Sequence, residues 1–316
     1  MANTTLARKL KYQPVDGLDR FNRIRPATNV VFNLIFIAVS LFCVVPVLFV
    51  VSISFSSESS IVNYGYQLIP HEFSAEGYVY LARQGTMLVR ALGVSLVVTI
   101  GGTALGVLLT TLMGYVISRP NYYLKKALTW VVFIPMVFNG GLVATYFINS
   151  RLLHLTDTLW ALILPLAVSS FNVIVCKTFF RTNVPESLIE AGKIDGASQF
   201  TIFFRIVLPI SLPVLATIGL FLCFAYWNDW YQSMLYINDA KLYSLQALLN
   251  QLLRDIEMLA QNADSMGVTA AELIASMPKE AARMAVATII VLPIACAYPF
   301  FQKYFISGLT VGAVKG

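Results

Sequence analysis

Charge is scarce in this chain. Only 12% of its 316 residues are Asp, Glu, Lys or Arg and 58% are hydrophobic, with a mean hydropathy of +0.73. A soluble globular domain carries about twice that share of charge, so the bilayer is the expected solvent. Histidine is nearly missing, since His71 and His154 are the only two. No HExxH pair or His/Asp/Ser constellation can be written around them, which removes zinc hydrolysis and triad chemistry. No GxxxxGK[ST] stretch occurs either; if ATP drives this protein, the ATPase is another polypeptide. Cys43, Cys176, Cys223 and Cys296 show no CxxC or pairing pattern and fall in or beside apolar runs. They read as small buried hydrophobes and say little about redox compartment. No catalytic or metal-ligating set emerges.

Long apolar runs are what the chain does have. Six stretches reach the roughly 20 residues a membrane helix needs: about 29 to 54, 88 to 118, 127 to 148, 158 to 178, 212 to 236 and 283 to 303. The first exceeds a signal-peptide core of about 7 to 15 residues and follows a long polar segment, so it is expected to stay. The fold class is therefore an all-α membrane protein with six transmembrane helices. Its parts are an N-terminal segment 1–28, a transmembrane domain 29–303 and a tail 304–316.

Basic residues set the orientation. Fifteen of the 22 fall on one side: Arg8, Lys9, Lys11, Arg20, Arg23, Arg25, Arg119, Lys125, Lys126, Lys177, Arg181, Lys193, Arg205, Lys303 and Lys315. The positive-inside rule places that side, with both termini, in the cytoplasm. The net charge of +6 then reflects topology, and no nucleic-acid partner is implied.

Two larger segments are expected outside, about 55 to 87 and 237 to 282. LYSLQALLNQLLRDIEML in the second repeats Leu242, Leu245, Leu248, Leu249, Leu252 and Leu253 at helical spacing. Either this helix caps the outer mouth of the bundle or it is a docking surface for an extracellular partner. SMPKEAARM opens the last span, with Ser276 as a cap, Pro278 in the first turn and Glu280 near the positive helix end. The glycines of TIGGTALG and GLVATY suit close helix packing.

Between spans four and five lies TNVPESLIEAGKIDGASQFTIFFRIVLP. Asn183 is placed to cap a helix, with Pro185 in its first turn and Glu186 in capping-box register. Leu188, Ile189 and Ala191 form an apolar face, Asp195-Gly196 stops the helix, and a second helical run leads to Pro209. Glu190, Ala191 and Gly192 are followed after three residues by Gly196, and after nine more by Ile206, Val207, Leu208 and Pro209. This spacing resembles the EAA signature of importer-type ABC transporter permeases, with Gly192 where a second Ala is usual. Asp195-Gly196-Ala197, the Trp227-Asn228-Asp229 triplet and the ending KYFISGLTVGAVKG are similar to the maltose-type carbohydrate branch. The resemblance covers the chain from span two onward.

That resemblance implies a type I importer fold in a bacterial plasma membrane, with the loop at about 183–209 acting as coupling helices that dock on a cytoplasmic ATPase. Glu190, Ala191, Gly192, Asp195, Gly196, Ala197, Ile206, Leu208 and Pro209 would form the joint, Glu190 making the charged contact. The implied partners are a second homologous permease, a pair of ABC ATPase subunits, an extracellular solute-binding protein, a carbohydrate and membrane lipid. ATP and Mg would sit on the ATPase, and this chain holds no cofactor. The competing reading of the loop is a helix lying on the lipid headgroups, pinned by Lys193 and Arg205.

Polar groups inside spans tend to face a cavity or a partner. Trp227, Asn228, Asp229 and Tyr231, with Asn139 and Tyr146, are candidate sugar-path residues, joined by Asn149 and Asn172. Aromatic rings at the membrane interface would give the same composition. The long external segment before span six points towards an oligosaccharide. The GLTVGAVKG tail either frays or approaches the ATPase pair. A gradient-driven secondary transporter would need ionisable pairs near the midplane, and only Asp229 offers itself; a non-sugar ABC permease differs from the favoured reading in substrate alone.

Overall fold

A computed structural model of the chain describes residues 26–83, 85–262 and 278–313. The segment 1–28 falls outside them but for its last three residues, as do Ser276 and residues 314–316. The described chain is helical and has no strand; a single antiparallel bridge joins Ser56 to Phe73.

Helix α1 (Pro26–Ser54) leads into short helices α2 (Glu58–Tyr64) and α3 (Glu76–Arg83), then into α4 (Gly85–Ser118). Among the described residues, α1 and α4 are the helices long and apolar enough to cross a membrane unbroken. Spans three and four, expected as continuous, are bent within their length, and span five, expected over about 212 to 236, ends its helix at Trp227. Helix α5 (Lys125–Val137) meets α6 (Leu142–Leu152) at 120°, and α7 (Leu159–Ala167) meets α8 (Ser170–Asn183) at 49°. After α9 (Glu186–Ile194), α10 (Gln199–Ile210) meets α11 (Leu212–Trp227) at 84°. With each bent pair as one span, the number crossing rises to five. Helices α12 (Tyr231–Tyr236) and α13 (Leu245–Asn262) precede α14 (Lys279–Ala313), which carries the sixth apolar run and stays helical past residue 303.

The breaks have local causes. Asn139-Gly140-Gly141 separates α5 from α6, with Gly141 at φ +83° and the Asn139 Oδ1 accepting its N–H at 2.9 Å. Pro209 and Pro213 flank the α10–α11 corner at Ser211, where each removes a helical N–H. A hydropathy window counts apolar residues and passes over such interruptions.

Helix α4 is the axis, packing against α11, α8 and α7. Of the glycines in TIGGTALG, Gly102 and Gly106 serve close approach as expected, while Gly101 beside them and Gly141 of GLVATY have nothing within 4 Å of an added Cβ. A Cβ at Gly102 would meet the Tyr226 ring at 2.5 Å, and one at Gly106 the Ala167 carbonyl oxygen at 2.7 Å. The Tyr226 hydroxyl in turn donates to the Ile163 carbonyl at 2.7 Å, pinning α11 to α7. Two cysteines correct the expectation of burial: Cys176 is buried, but Cys43 and Cys296 are exposed on apolar surface.

At the end of the bundle away from Arg119, α13 lies as a cap. It begins at Leu245, leaving Leu242 in a 3-10 turn, because Ser244 receives the Ala247 N–H at 3.3 Å. Leu245 and Leu249 pack with Leu81, Trp227, Ala285 and Val286. The first turn of α14 is capped from far away in sequence, with Glu58 accepting the backbone N–H groups of Glu280 and Ala281 at about 3.1 Å. Pro278 stands just before that helix rather than within it.

Candidate functional site

At the end where Arg119 lies, α9 and α10 form a helix, a tight turn and a second helix. The start of α9 corrects the expected capping box. Asn183 is the last residue of α8, its Nδ2 donating to the Phe179 carbonyl at 3.2 Å, and Val184 is extended ahead of Pro185. Proline disfavours the α conformation in the residue before it, so α8 stops and α9 starts afresh at Glu186.

The end of α9 follows the expectation from Asp195-Gly196. The Gly196 N–H bonds the Lys193 carbonyl at 3.0 Å and the Ala197 N–H bonds that of Gly192 at 2.9 Å. These are the two bonds of a Schellman cap, and they need the left-handed Gly196 at φ +75°. The following Ser198 caps α10 through the Thr201 N–H at 3.2 Å. Within α10, Phe203–Val207 widens to a π turn just before Pro209.

One face of this unit belongs to the main core. Ile189, Ile202, Phe203 and Val207 are buried in the same cluster as Phe180, Tyr115 and Val98. Gly192 is buried against Ile206 and Ile202 and lets the two helices touch. Leu188 and Ala191, expected on the inner face, are exposed instead, because the register of α9 turns only Ile189 and Gly192 inwards.

The other face points away from the bundle. Glu190 and Asp195 are exposed on it, and Glu190 makes no ion pair among the described residues. Two apolar side chains of the same unit are also exposed, Ile194 at 86% and Phe200 at 72%. The motif spacing did not single these out; their signal was an apolar residue on each side of a polar turn. Leu208 is half-buried and Pro209 exposed at the α10–α11 corner.

The candidate path residues separate on inspection. Trp227 is 5% exposed, and its Nε1 donates to the Ile290 carbonyl at 3.1 Å, a packing contact with α14. Asn228 caps α11 by donating to the Phe224 carbonyl at 2.9 Å. Asp229 accepts the Gln232 N–H at 3.3 Å and starts α12. Asn172 is buried in α8.

Asn139 and Tyr231 do come together. They line a cavity of about 220 Å³ with Leu142, Thr145, Gln232 and Tyr236, between the α5–α6 turn and α12. Tyr146 stacks on Tyr236 at its edge, centroids 5.7 Å apart and planes within 9°. Asn149 donates to the Tyr236 hydroxyl at 3.0 Å. The lining is uncharged, with two carboxamides and phenol rings around an apolar floor, a set that hydrogen-bonds hydroxyls and stacks on C–H faces.

Residues 102–311 match the family described as binding-protein-dependent transport system inner membrane component. The chain belongs to that family. It is thus a permease subunit of a binding-protein-dependent ABC importer. Its curated relatives include the polygalacturonan/rhamnogalacturonan transport system permease protein YtcP of Bacillus subtilis, 38% identical over 88% of this chain and 94% of that one. Protein LplC of Bacillus subtilis is 37% identical, over 90% and 94% of the two chains. Among solved structures, a chain of a bacterial ABC transporter involved in import of the acidic polysaccharide alginate has TM-score 0.74 and 22% identity. It is covered completely by 93% of this permease, and that likeness concerns the fold.

Proposed function

We propose that this permease forms one half of the transmembrane path of an oligosaccharide importer and that α9–α10 is the joint through which a separate ATPase drives it. The observation that carries the joint is its two-sided build. Its inner face is part of the main core, and its outer surface presents exposed Glu190, exposed Ile194 one helical turn on, and exposed Phe200 at the start of α10. An exposed apolar pair with an exposed carboxylate fits a cleft on a partner protein, where burial gives affinity and charge gives register. A helix lying on lipid headgroups would hold its apolar side chains towards the bilayer.

The joint lies in the cytoplasm in this reading, with both termini, and six spans surround the path. A second permease completes it, a solute-binding protein delivers the substrate from outside, and ATP with Mg is held by the ATPase. The α5–α6 to α12 cavity contributes to the path, with Asn139, Tyr231 and Gln232 meeting sugar hydroxyls. Several relatives are named for carbohydrate polymers or oligomers, among them an arabinooligosaccharides transport system permease protein, which supports a saccharide cargo. The motion is rigid-body: closure of the ATPase pair displaces the joint, and the shared core carries the displacement into α4, α8 and α11.

The test is co-purification of the permease complex with its ATPase, followed by sugar-stimulated ATP hydrolysis in wild type, Glu190→Ala and Phe200→Ala. The expected result is a bound ATPase in wild type, with stimulated hydrolysis lost in Glu190→Ala and ATPase retention reduced in Phe200→Ala. Uptake that follows an imposed ion gradient with no ATPase bound would sink the reading.

A further inference from the structure

We propose that Arg119 is a positioning residue that ties the joint to the central helix α4 through an ion pair with Glu186, closed in one transport state and open in another. The inference rests on the reading of α9–α10 as the ATPase-driven joint.

Arg119 stands one residue beyond the end of α4, and its side chain is 14% exposed. Three of its contacts hold it to the scaffold. Its Nη2 donates to the Phe180 carbonyl in the last turn of α8 at 3.1 Å, its Nε donates to Ser118 Oγ at 3.0 Å, and the guanidinium lies 5.1 Å from the Tyr115 ring centroid. The fourth contact is unfinished. Nη1 is buried without a hydrogen bond, and Glu186 Oε2 lies 3.9 Å away.

A buried guanidinium N–H left unpaired is costly, and a closed charge-assisted bond spans about 2.7 to 2.9 Å. The gap is thus about one ångström too long. Glu186 is the first residue of α9 and half-exposed, so it shifts first when the joint is displaced, while Arg119 is held on α4 and α8 until the shared core passes the motion on. A cavity of about 430 Å³, lined by both residues and by Tyr122 and Lys193, separates α9 from the end of α4. It leaves α9 room to close the gap. An arginine anchored on three sides and reaching for a carboxylate on the moving part is suited to sense where the joint is.

The test uses the full complex, permease pair, ATPase and binding protein, in proteoliposomes, and reads sugar moved per ATP hydrolysed. Glu186→Gln keeps the size of a surface side chain and removes its charge. It is expected to lower that ratio by about threefold or more with the ATPase still bound and the melting temperature of the complex unchanged. Arg119→Gln combined with Glu186→Gln is expected to be no worse than Arg119→Gln alone. In a background without the native cysteines, Tyr122→Cys and Lys193→Cys are expected to cross-link with a short reagent to different extents in nucleotide-free and ATP-trapped complexes.

An unchanged ratio in Glu186→Gln overturns the proposal, and so does equal cross-linking in the two states. Should Arg119→Gln fail to insert, Glu186→Gln and the cross-link decide alone. A wild-type complex that binds no ATPase would remove the functional reading and this inference with it; a coupled wild type indifferent to Glu186→Gln removes the inference only.

Discussion

Gly192 stands where the signature that this loop resembles has a second alanine, and its neighbours show what an added methyl would meet. A Cβ there would lie 3.1 Å from Ile206 Cδ1 and 3.2 Å from Ile202 Cγ1. Replacing Gly by Ala inside a helix returns about 1 kcal/mol, which the crowding offsets, so Gly192→Ala is expected to sit within about 1 kcal/mol of wild type. Gly192→Val adds two more methyl groups to the contact and is expected to cost about 1 to 3 kcal/mol. Thermal unfolding of the purified complex would show a clear drop for Val and little change for Ala; equal melting points would mean the helices separate freely. Asp157 is a second residue whose surroundings define its role. It sits at φ +57° and takes the backbone N–H groups of Asn238 and Asp239 and the Asn238 amide. The Asn238 backbone bond, then that of Asp239, hold its carboxyl below the ordinary value of 3.8. A depressed carboxyl adds stability above its ordinary range and loses it as pH falls through the lower folded value. Asp157→Asn tolerates the same backbone conformation. It is expected to melt below wild type at neutral pH, with the difference closing at acid pH; a gap independent of pH would refute the charged role.

At the scale of elements, the decisive contacts are helix crossings with no room for a side chain. Gly77 in α3 lies so close to α14 that a Cβ would come within 2.6 Å of the Ala281 carbonyl carbon and oxygen. Backbone cannot yield as a flexible side chain does. Gly77→Ala is therefore expected to pry α3 from α14 and to cost about 1 to 3 kcal/mol, with faster proteolysis of the 55–83 region as the measured sign. Unchanged cleavage would show that α3 does not depend on this crossing. The same economy governs the α9–α10 unit, where a Schellman cap at Gly196 ends one helix and the prolines at 209 and 213 flank the corner into α11.

Over the whole molecule, the uneven distribution of basic residues is expected to orient the bundle with the Arg119 end in the cytoplasm. Tyr64 and Tyr123 are both exposed, at 60% and 85%, near its opposite ends. In a cysteine-free background and right-side-out vesicles, an impermeant maleimide is expected to label Tyr64→Cys directly and Tyr123→Cys only after permeabilisation. The reverse pattern would invert the topology and leave the joint on the wrong side for an ATPase.

Local pattern was enough for much of this. Apolar run length marked the membrane segments, because a helix must cover about 30 Å of hydrocarbon whatever packs beside it. The Asp195-Gly196 stop was legible, since a left-handed turn residue is a backbone requirement carried by one glycine. The EAA-like spacing from Glu190 to Pro209 pointed to the proposed joint for the same reason: it is short and contiguous. The 84° corner fell at the expected boundary between the run ending at Pro209 and span five, but the bends of 120° and 49° inside spans three and four were not legible, because hydropathy averages over the residues that break a helix. Nor was the division among Trp227, Asn228, Asp229 and Tyr231. Adjacent residues at a helix end point in different directions, and only packing decided that Trp227 meets α14 while Tyr231 lines a cavity with Asn139. The cap of Glu58 on α14 and the reach of Arg119 to Phe180 and Glu186 join residues far apart in the chain. Single-sequence periodicity carries no record of such distances, so these contacts belong to the tertiary structure alone.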